Sequence, residues 1–253
     1  MYHKHSVHLR MLRLLLSLPL LLEVAFEDFS DVILLKLFAQ LWSRRCFRSL
    51  TKSHMSKNVV IIGQTGAGKS SLINMLCPGA NAPTSNDTTG CTHVEREYRC
   101  DLGDRFSCQV HDTIGLEEGR WGFLWAPKAE RRLITYLKKM KSPHLLVYCI
   151  PAGRGLLKKS DGRNYQKFKS AVGKNVPVVV VVTHLENFRG PFSSWWSNNV
   201  DKLKAVGIPV DTRHACITTL PKADLHILCM EETLYDNSCA DVKSLIRHIL
   251  SKM

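Results

Sequence analysis

The branched apolar run Val59-Val60-Ile61-Ile62 stops at a glycine and continues as Gly63-Gln64-Thr65-Gly66-Ala67-Gly68-Lys69-Ser70. No other segment leaves the backbone so few alternatives. Four branched apolar residues predict a buried strand, and Ser71-Leu72-Ile73-Asn74-Met75-Leu76 carries an apolar stripe at helical spacing, so the glycine segment turns a strand into a helix. Glycines let the backbone turn tightly and aim successive N–H groups inward. The N-terminus of the following helix adds its positive dipole end, and the product is a cradle for phosphate oxygens. Within it Gly63 through Ser71 are the expected phosphate contacts. Lys69 supplies a point charge to the β- and γ-phosphates, and the Ser70 hydroxyl is placed to ligate Mg2+. A chance glycine loop could share the spacing, but it would not need a strand before it and a helix after it.

Beyond this unit, apolar runs alternate with helical patterns. Phe106 to His111 reads as a strand ending in Asp112, and His93 to Tyr98 is strand-like. Leu145 to Ile150 lies between Pro143 and Pro151 as a third strand. Val176-Pro177 and five further valines, ending at Val182, make a strand with no polar face, as expected of one covered on both sides. His214 to Thr218 is the last strand. Helices are expected over Ala129 to Met140, Asn164 to Val172, Ser194 to Ala205 and Ala240 to Lys252. Strands alternating with helices imply crossover units, hence an α/β three-layer sandwich with a mainly parallel sheet and helices on both faces. A hydrophobic fraction of 45% accords with one globular domain over residues 55–253 and argues against overall disorder.

Three further segments carry chemistry. Asp112-Thr113-Ile114-Gly115 stands at a strand end. An Asp there can hold Mg2+ through water, and the Gly115 N–H can sense a γ-phosphate, which makes the loop a switch. The segment Ser85-Asn86-Asp87-Thr88-Thr89-Gly90-Cys91-Thr92 offers three threonines that could reach the metal when the γ-phosphate is present. Thr92 is favoured because it immediately precedes the strand-like stretch, with Thr89 second. Guanine needs a carboxylate to accept from its N1–H and 2-amino group. Val182-Thr183-His184-Leu185-Glu186 follows the valine strand and supplies Glu186, with Thr183 beside it and His184 able to stack on the base or donate to the ribose. Glu186 could instead begin the next helix. Thr218, in Cys216-Ile217-Thr218-Thr219, falls where a last base-contacting loop would lie.

The formal charge is +13, from 35 Lys and Arg against 22 Asp and Glu. Such a balance favours acidic partners. The basic residues are nonetheless spread along the chain, with Lys138, Lys139 and Lys141 on one helix and Arg44, Arg45 and Arg48 in another group. No basic stretch interleaves with aromatics, so no specific nucleic-acid partner is expected. The nine cysteines include no Cys-x-x-Cys pair, which leaves zinc ligation without support. They read as reduced, buried small hydrophobes of a cytoplasmic protein.

Residues 1–54 differ in kind, being Leu-rich, basic and irregular. Met11 to Leu22 is too short for a comfortable membrane span. Val32 to Trp42 is amphipathic at helical spacing, and with the basic tail around Arg44 to Arg48 residues 32–52 could lie on an anionic membrane surface. The same helix could equally pack on the main domain, or translation could begin at Met55.

From about residue 57 to 250 the chain resembles the septin-, GIMAP- and Toc-like branch of P-loop GTPases, and more narrowly the short G-domain proteins of basidiomycete fungi. The residues that carry the resemblance are Gly63 to Ser71, Gly90-Cys91-Thr92, Asp112 to Gly115, Ala152-Gly153-Arg154, Thr183 to Glu186, Trp195-Trp196 with Asn199, and His214 to Thr218. The resemblance implies a six-stranded sheet whose one antiparallel strand follows the first switch loop. Related GTPases often pair two copies across the nucleotide face, and the site motifs themselves point to GTP and GDP as ligands with Mg2+, with hydrolysis expected to be slow because Leu116 has no group to orient a water. Two departures stand out: Glu186 replaces the usual Asp, and Leu116 stands where Ras-like proteins carry a water-positioning Gln. A P-loop ATPase or small-molecule kinase, with Arg120, Arg131 and Arg132 as lid residues, is the alternative from another class. A nucleotide-stabilised interaction module without hydrolysis is a third.

Overall fold

The computed structural model describes residues 57–83, 96–104, 106–113, 127–140, 143–152 and 157–253. The expectations for residues 1–54, Thr89, Thr92, Gly115 and Leu116 fall outside them. The chain divides into Met1–Met55 and Ser56–Met253, and every described residue belongs to the second unit.

The strands are β1 (Lys57–Gly63), β2 (Arg96–Asp101), β3 (Ser107–Asp112), β4 (Leu145–Pro151), β5 (Val178–Thr183) and β6 (His214–Cys216). They form one sheet in the order β2-β3-β1-β4-β5-β6. Every neighbouring pair is parallel except β2 with β3. The helices are α1 (Lys69–Leu76), α2 (Pro127–Lys139), α3 (Lys159–Val172), α4 (Ser194–Asn198), α5 (Val200–Val206), α6 (Lys222–Ile227) and α7 (Thr233–Leu250).

Successive strand residues point to opposite faces, and here each face has its own core. Val59, Ile61, Leu145, Val147, Val179 and Val181 pack with Leu72, Ile73, Val242 and Ile246 of α1 and α7. The intervening Val60, Ile62, Leu146, Tyr148, Val180 and Val182 pack with Leu133 and Leu137 of α2, Tyr165 and Phe168 of α3, and Leu203 of α5. Uninterrupted apolar runs are what a strand needs when helices cover both of its sides. The cysteines behave as expected of small hydrophobes: Cys77, Cys100, Cys108, Cys149 and Cys216 are buried, although Cys229 is exposed.

Several boundaries depart from the sequence reading. Helix α3 begins at Lys159 rather than Asn164, because the Asp161 carboxylate accepts the Lys158 N–H (2.8 Å) and closes a capping box ahead of the apolar stripe. The single helix expected over Ser194 to Ala205 breaks at Asn199, whose side chain donates to the Trp195 carbonyl (2.8 Å) in competition with the helical ladder. Helix α7 starts at Thr233, seven residues before Ala240, and α6 was not foreseen. Both begin with mostly exposed or half-buried residues, so periodicity carries little signal there.

Gly162 sets the closest approach between two of these helices. A Cβ at this position would stand 1.5 Å from the Val206 carbonyl oxygen of α5. Only glycine permits that approach, so Gly162→Ala must push α3 and α5 apart. The expected loss is about 1–3 kcal/mol of stability, read as a lower urea midpoint at unchanged slope. An unchanged midpoint would mean that the two helices separate without penalty.

Candidate functional site

The loop after β1 is held in shape mostly from behind. Ala67 N–H donates to the Gln64 carbonyl (2.9 Å), which closes a turn at the exposed Thr65 and Gly66. Gly66 and Gly68 take φ of 77° and 75°, a left-handed conformation that side chains disfavour. Gly63 has a different reason for being glycine: a Cβ there would lie 2.7 Å from the Cys149 carbonyl oxygen of β4. Lys69 is buried, and its ammonium donates to the carbonyls of Gly63 (2.7 Å) and Gln64 (3.1 Å). Ser70 and Ser71 follow, half-buried, in the first turn of α1.

Strand β3 delivers Asp112 beside this loop, since Asp112 aligns with Ile61 in the parallel register of β1. Asp112 is buried, and the next residue, Thr113, donates its hydroxyl to the Ile61 carbonyl (2.8 Å). That bond fixes where the chain leaves the sheet. Thr113 sat inside a motif read for its Asp and Gly, and its own role was not foreseen.

The ends of β5 and β6 meet the loop at Gly68. A Cβ on Gly68 would stand 3.3 Å from His184 Cε1, 3.3 Å from Thr219 Oγ1 and 3.5 Å from Thr183 Cβ. Thr183 is fully buried and donates its hydroxyl to the Ala67 carbonyl (3.0 Å). It also lies 3.0 Å from His184 Nδ1. His184 takes φ of 59°, uncommon for a residue with a side chain. This reverses the chain after β5, so that Leu185 is buried and Glu186 is half-buried. Thr218 donates its hydroxyl to Glu186 Oε2 (3.2 Å), and the Thr218 Oγ1 in turn accepts from Leu220 N–H (3.1 Å). Ser238 of α7 accepts the Thr218 N–H (3.2 Å). The four residues expected at the base site, Thr183, His184, Glu186 and Thr218, are therefore brought to one place from two strands.

A second support came without warning from the sequence pattern. Asp161, buried in the first turn of α3, accepts Gln64 Nε2 (3.1 Å) on one carboxylate oxygen and Lys158 N–H on the other. Burial pushes its carboxyl above the ordinary value of 3.8, against the pull of the Lys158 N–H and ammonium. An acid among the lysines at the start of α3 was the available signal. It was masked by the expectation that the helix begins later.

With this geometry in place, the chain can be compared with known proteins. A family profile described as 50S ribosome-binding GTPase matches residues 58–184, half of the chain. The uncharacterized protein YfjP of Escherichia coli (strain K12) is 38% identical over 80 residues, which is 31% of this chain and 27% of the relative. The chain thus matches about a quarter of that relative's length. Among solved structures, one reported for the chloroplast translocon components atToc33 and psToc159, whose dimerization is described as important for GTPase activity, gives a TM-score of 0.51 at 17% identity. It covers 69% of this chain and 74% of that one. A variant of the protein SsGBP gives a TM-score of 0.51 at 15% identity, over 86% of this chain and 64% of that one. At these identities the structural likeness is one of fold.

The Asp161 tie has a testable pH signature. Because the folded-state value is raised, the folded protein holds this proton longer than the unfolded chain does. The contribution to stability is fully present below pH 3.8 and is lost as pH rises through the folded-state value. Asp161→Asn should flatten that dependence and leave stability at pH 7 at or above the parent's. Its amide can accept from Lys158 N–H and donate to a flipped Gln64 amide. Asp161→Leu strands the Lys158 N–H and should lose about 1–3 kcal/mol. Urea unfolding of both variants across pH checks the pair.

Proposed function

This chain belongs to the 50S ribosome-binding GTPase family and carries a GTP-binding G domain, and on that footing we propose that it is a GTP/GDP switch or scaffold with slow, Mg2+-dependent hydrolysis. One observation carries the base assignment: the Glu186 carboxylate, joined to Thr218, stands beside a phosphate loop whose Gly68 touches His184 and Thr219. A carboxylate at that point accepts from guanine N1–H and the 2-amino group, whereas adenine presents no such pair of donors. Thr183 serves by tying β5 to the Ala67 carbonyl, and His184 offers its ring to the base or ribose.

The phosphates lie on the N–H groups of residues 63–71, with Lys69 supplying its charge to the β- and γ-oxygens. Ser70 and Asp112 are hard oxygen donors at the phosphate end of neighbouring elements, a set that suits Mg2+. They would hold the ion, Asp112 through water, with Thr92 or Thr89 completing the shell in the triphosphate state. The ion would supply positive charge against the charge that develops on the phosphates. Gly115 would report the γ-phosphate.

Within the family we place the chain on the septin-, GIMAP- and Toc-like branch, on the motifs at Thr183 to Glu186 and His214 to Thr218. That placement brings pairing of two copies across the nucleotide face, which the description of the atToc33 and psToc159 structure makes a natural candidate for accelerating turnover. A cytoplasmic site of action fits the free thiols of the described residues, and residues 32–52 could add a contact with an anionic membrane. Arg131 and Arg132 are exposed on α2. Arg120, the third arginine of the kinase reading, falls outside the described residues.

Lys69→Ala should abolish most nucleotide binding, because phosphate charge is left unmatched. Glu186→Ala should narrow the preference for GTP over ATP by about ten- to a hundredfold, the equivalent of about 1.5–3 kcal/mol for a charged acceptor. Calorimetry with both nucleotides decides this, and a parent that binds ATP and GTP equally would overturn the guanine assignment.

Turnover is tested separately. Leu116 has no group to orient a water, so the isolated chain should hydrolyse GTP on the order of 10⁻⁴ s⁻¹, the unassisted scale of small GTPases. Specific activity should rise with protein concentration. A rate on the order of 1 s⁻¹ that is independent of concentration would place the catalytic group within the single chain.

A further inference from the structure

The basic residues look scattered along the chain, but the fold gathers them. Residues 127–174 hold thirteen Lys and Arg against two acids, Glu130 and Asp161, so this stretch carries +11 of the chain's formal +13. It consists mainly of α2, the buried strand β4 and α3. The two helices pack side by side on one face of the sheet, through Leu133, Leu137, Tyr165 and Phe168, and their outer faces make one layer. Arg131, Lys138 and Lys139 of α2 and Lys159 and Arg163 of α3 are exposed on that layer. Both acids are already engaged: Glu130 pairs with Lys167, and Asp161 is buried against Gln64 and the Lys158 N–H. Like charges crowded on one face do nothing for helix stability. Their summed potential attracts anions over several ångströms of water.

We propose that the outer face of α2 and α3 docks on the anionic headgroups of a lipid bilayer. Three features favour lipid over nucleic acid. The layer is two parallel helices wide and has no described exposed aromatic on which a base could stack. Lysines outnumber arginines nine to four in residues 127–174, and the hydrated point charge of lysine suits a diffuse anionic surface, whereas the arginine fork suits phosphate and base readout. The described exposed large apolar residues, Val210, Ile227, Leu228 and Met253, all lie elsewhere. No described helix is long and apolar enough to cross a membrane. The contact is therefore adsorption by charge, without insertion. It rests on α2 and α3 alone and is independent of any contact made by residues 32–52.

The test is co-sedimentation of the full chain with phosphatidylcholine vesicles, with and without phosphatidylserine. The parent should bind only the phosphatidylserine vesicles. Binding should fall away between about 0.1 M and about 1 M salt, as the Debye length shrinks from about 10 Å to about 3 Å. Combining Lys138→Glu, Lys139→Glu, Lys159→Glu and Arg163→Glu should weaken vesicle binding by about a hundredfold or more, since each removed charge is worth about fivefold. Affinity for GDP should be unchanged, because none of the four touches the phosphate loop. If the fourfold variant no longer binds GDP, the neutral pair Lys159→Gln and Arg163→Gln reads the same surface, with a loss of about twenty-five-fold expected. A parent that ignores phosphatidylserine, or a folded variant that binds like the parent, overturns the proposal. Duplex RNA that displaces the parent from vesicles and loses its own binding in the same variant would assign the face to nucleic acid instead.

Discussion

The ammonium of Lys69 is the point on which the rest of the site depends. It is 5% exposed and is held by the carbonyls of Gly63 and Gln64. A buried charge is costly unless polar atoms surround it, so these carbonyls must face the lysine. The Ala67 N–H then closes the turn onto the Gln64 carbonyl. The same contacts that make a buried lysine tolerable thus shape the loop. Other ties remove the remaining freedom: Thr183 holds the Ala67 carbonyl and Asp161 holds the Gln64 side chain. A loop braced in this way before its ligand arrives loses little further conformational freedom on binding.

The sheet supplies those braces because its order sets which strand ends are neighbours. β1 lies between β3 and β4, which places Asp112 and Thr113 on one side of the loop and Cys149 on the other. β5 and β6 lie further out, so their loops must reach back. His184 does so by adopting a left-handed turn, a local strain that the buried Leu185 and the Thr183 bond help to hold. Strain of this kind persists only where the surroundings over-determine it. Here the surroundings are the phosphate loop itself, through Gly68.

Nucleotide site and basic face are built from the same layer by different rules. The inner side of α3 is chosen by packing: Gly162 admits α5, Tyr165 and Phe168 fill the core, and Asp161 caps the helix while bracing the loop. The outer side faces no packing constraint, and Lys159, Arg163 and Lys167 recur there at a spacing of four. A helix can therefore carry a structural message on one side and an electrostatic one on the other, because residues three or four apart share a side.

The sequence by itself determined the glycine turn from β1 into α1, the mainly parallel α/β sheet and the strand-end positions of Asp112, Thr183 and Glu186. These depend on short-range rules: glycines where the backbone must turn, and apolar runs where both faces are covered. The start of α1 at Lys69 was legible because a glycine turn followed by an apolar stripe at helical spacing is itself the signal. Tertiary structure alone decided the rest. That Thr183 turns inward to Ala67, that Thr218 meets Glu186 across thirty-two positions, and that Asp161 reaches Gln64 across ninety-seven are facts of strand order and helix placement. The early start of α3 and the break at Asn199 followed side-chain bonds to backbone, which periodicity does not register. The basic face needed the fold as well. Charges far apart in the chain become one surface only when two helices lie side by side, because electrostatic potential sums over distance in space and not along the sequence.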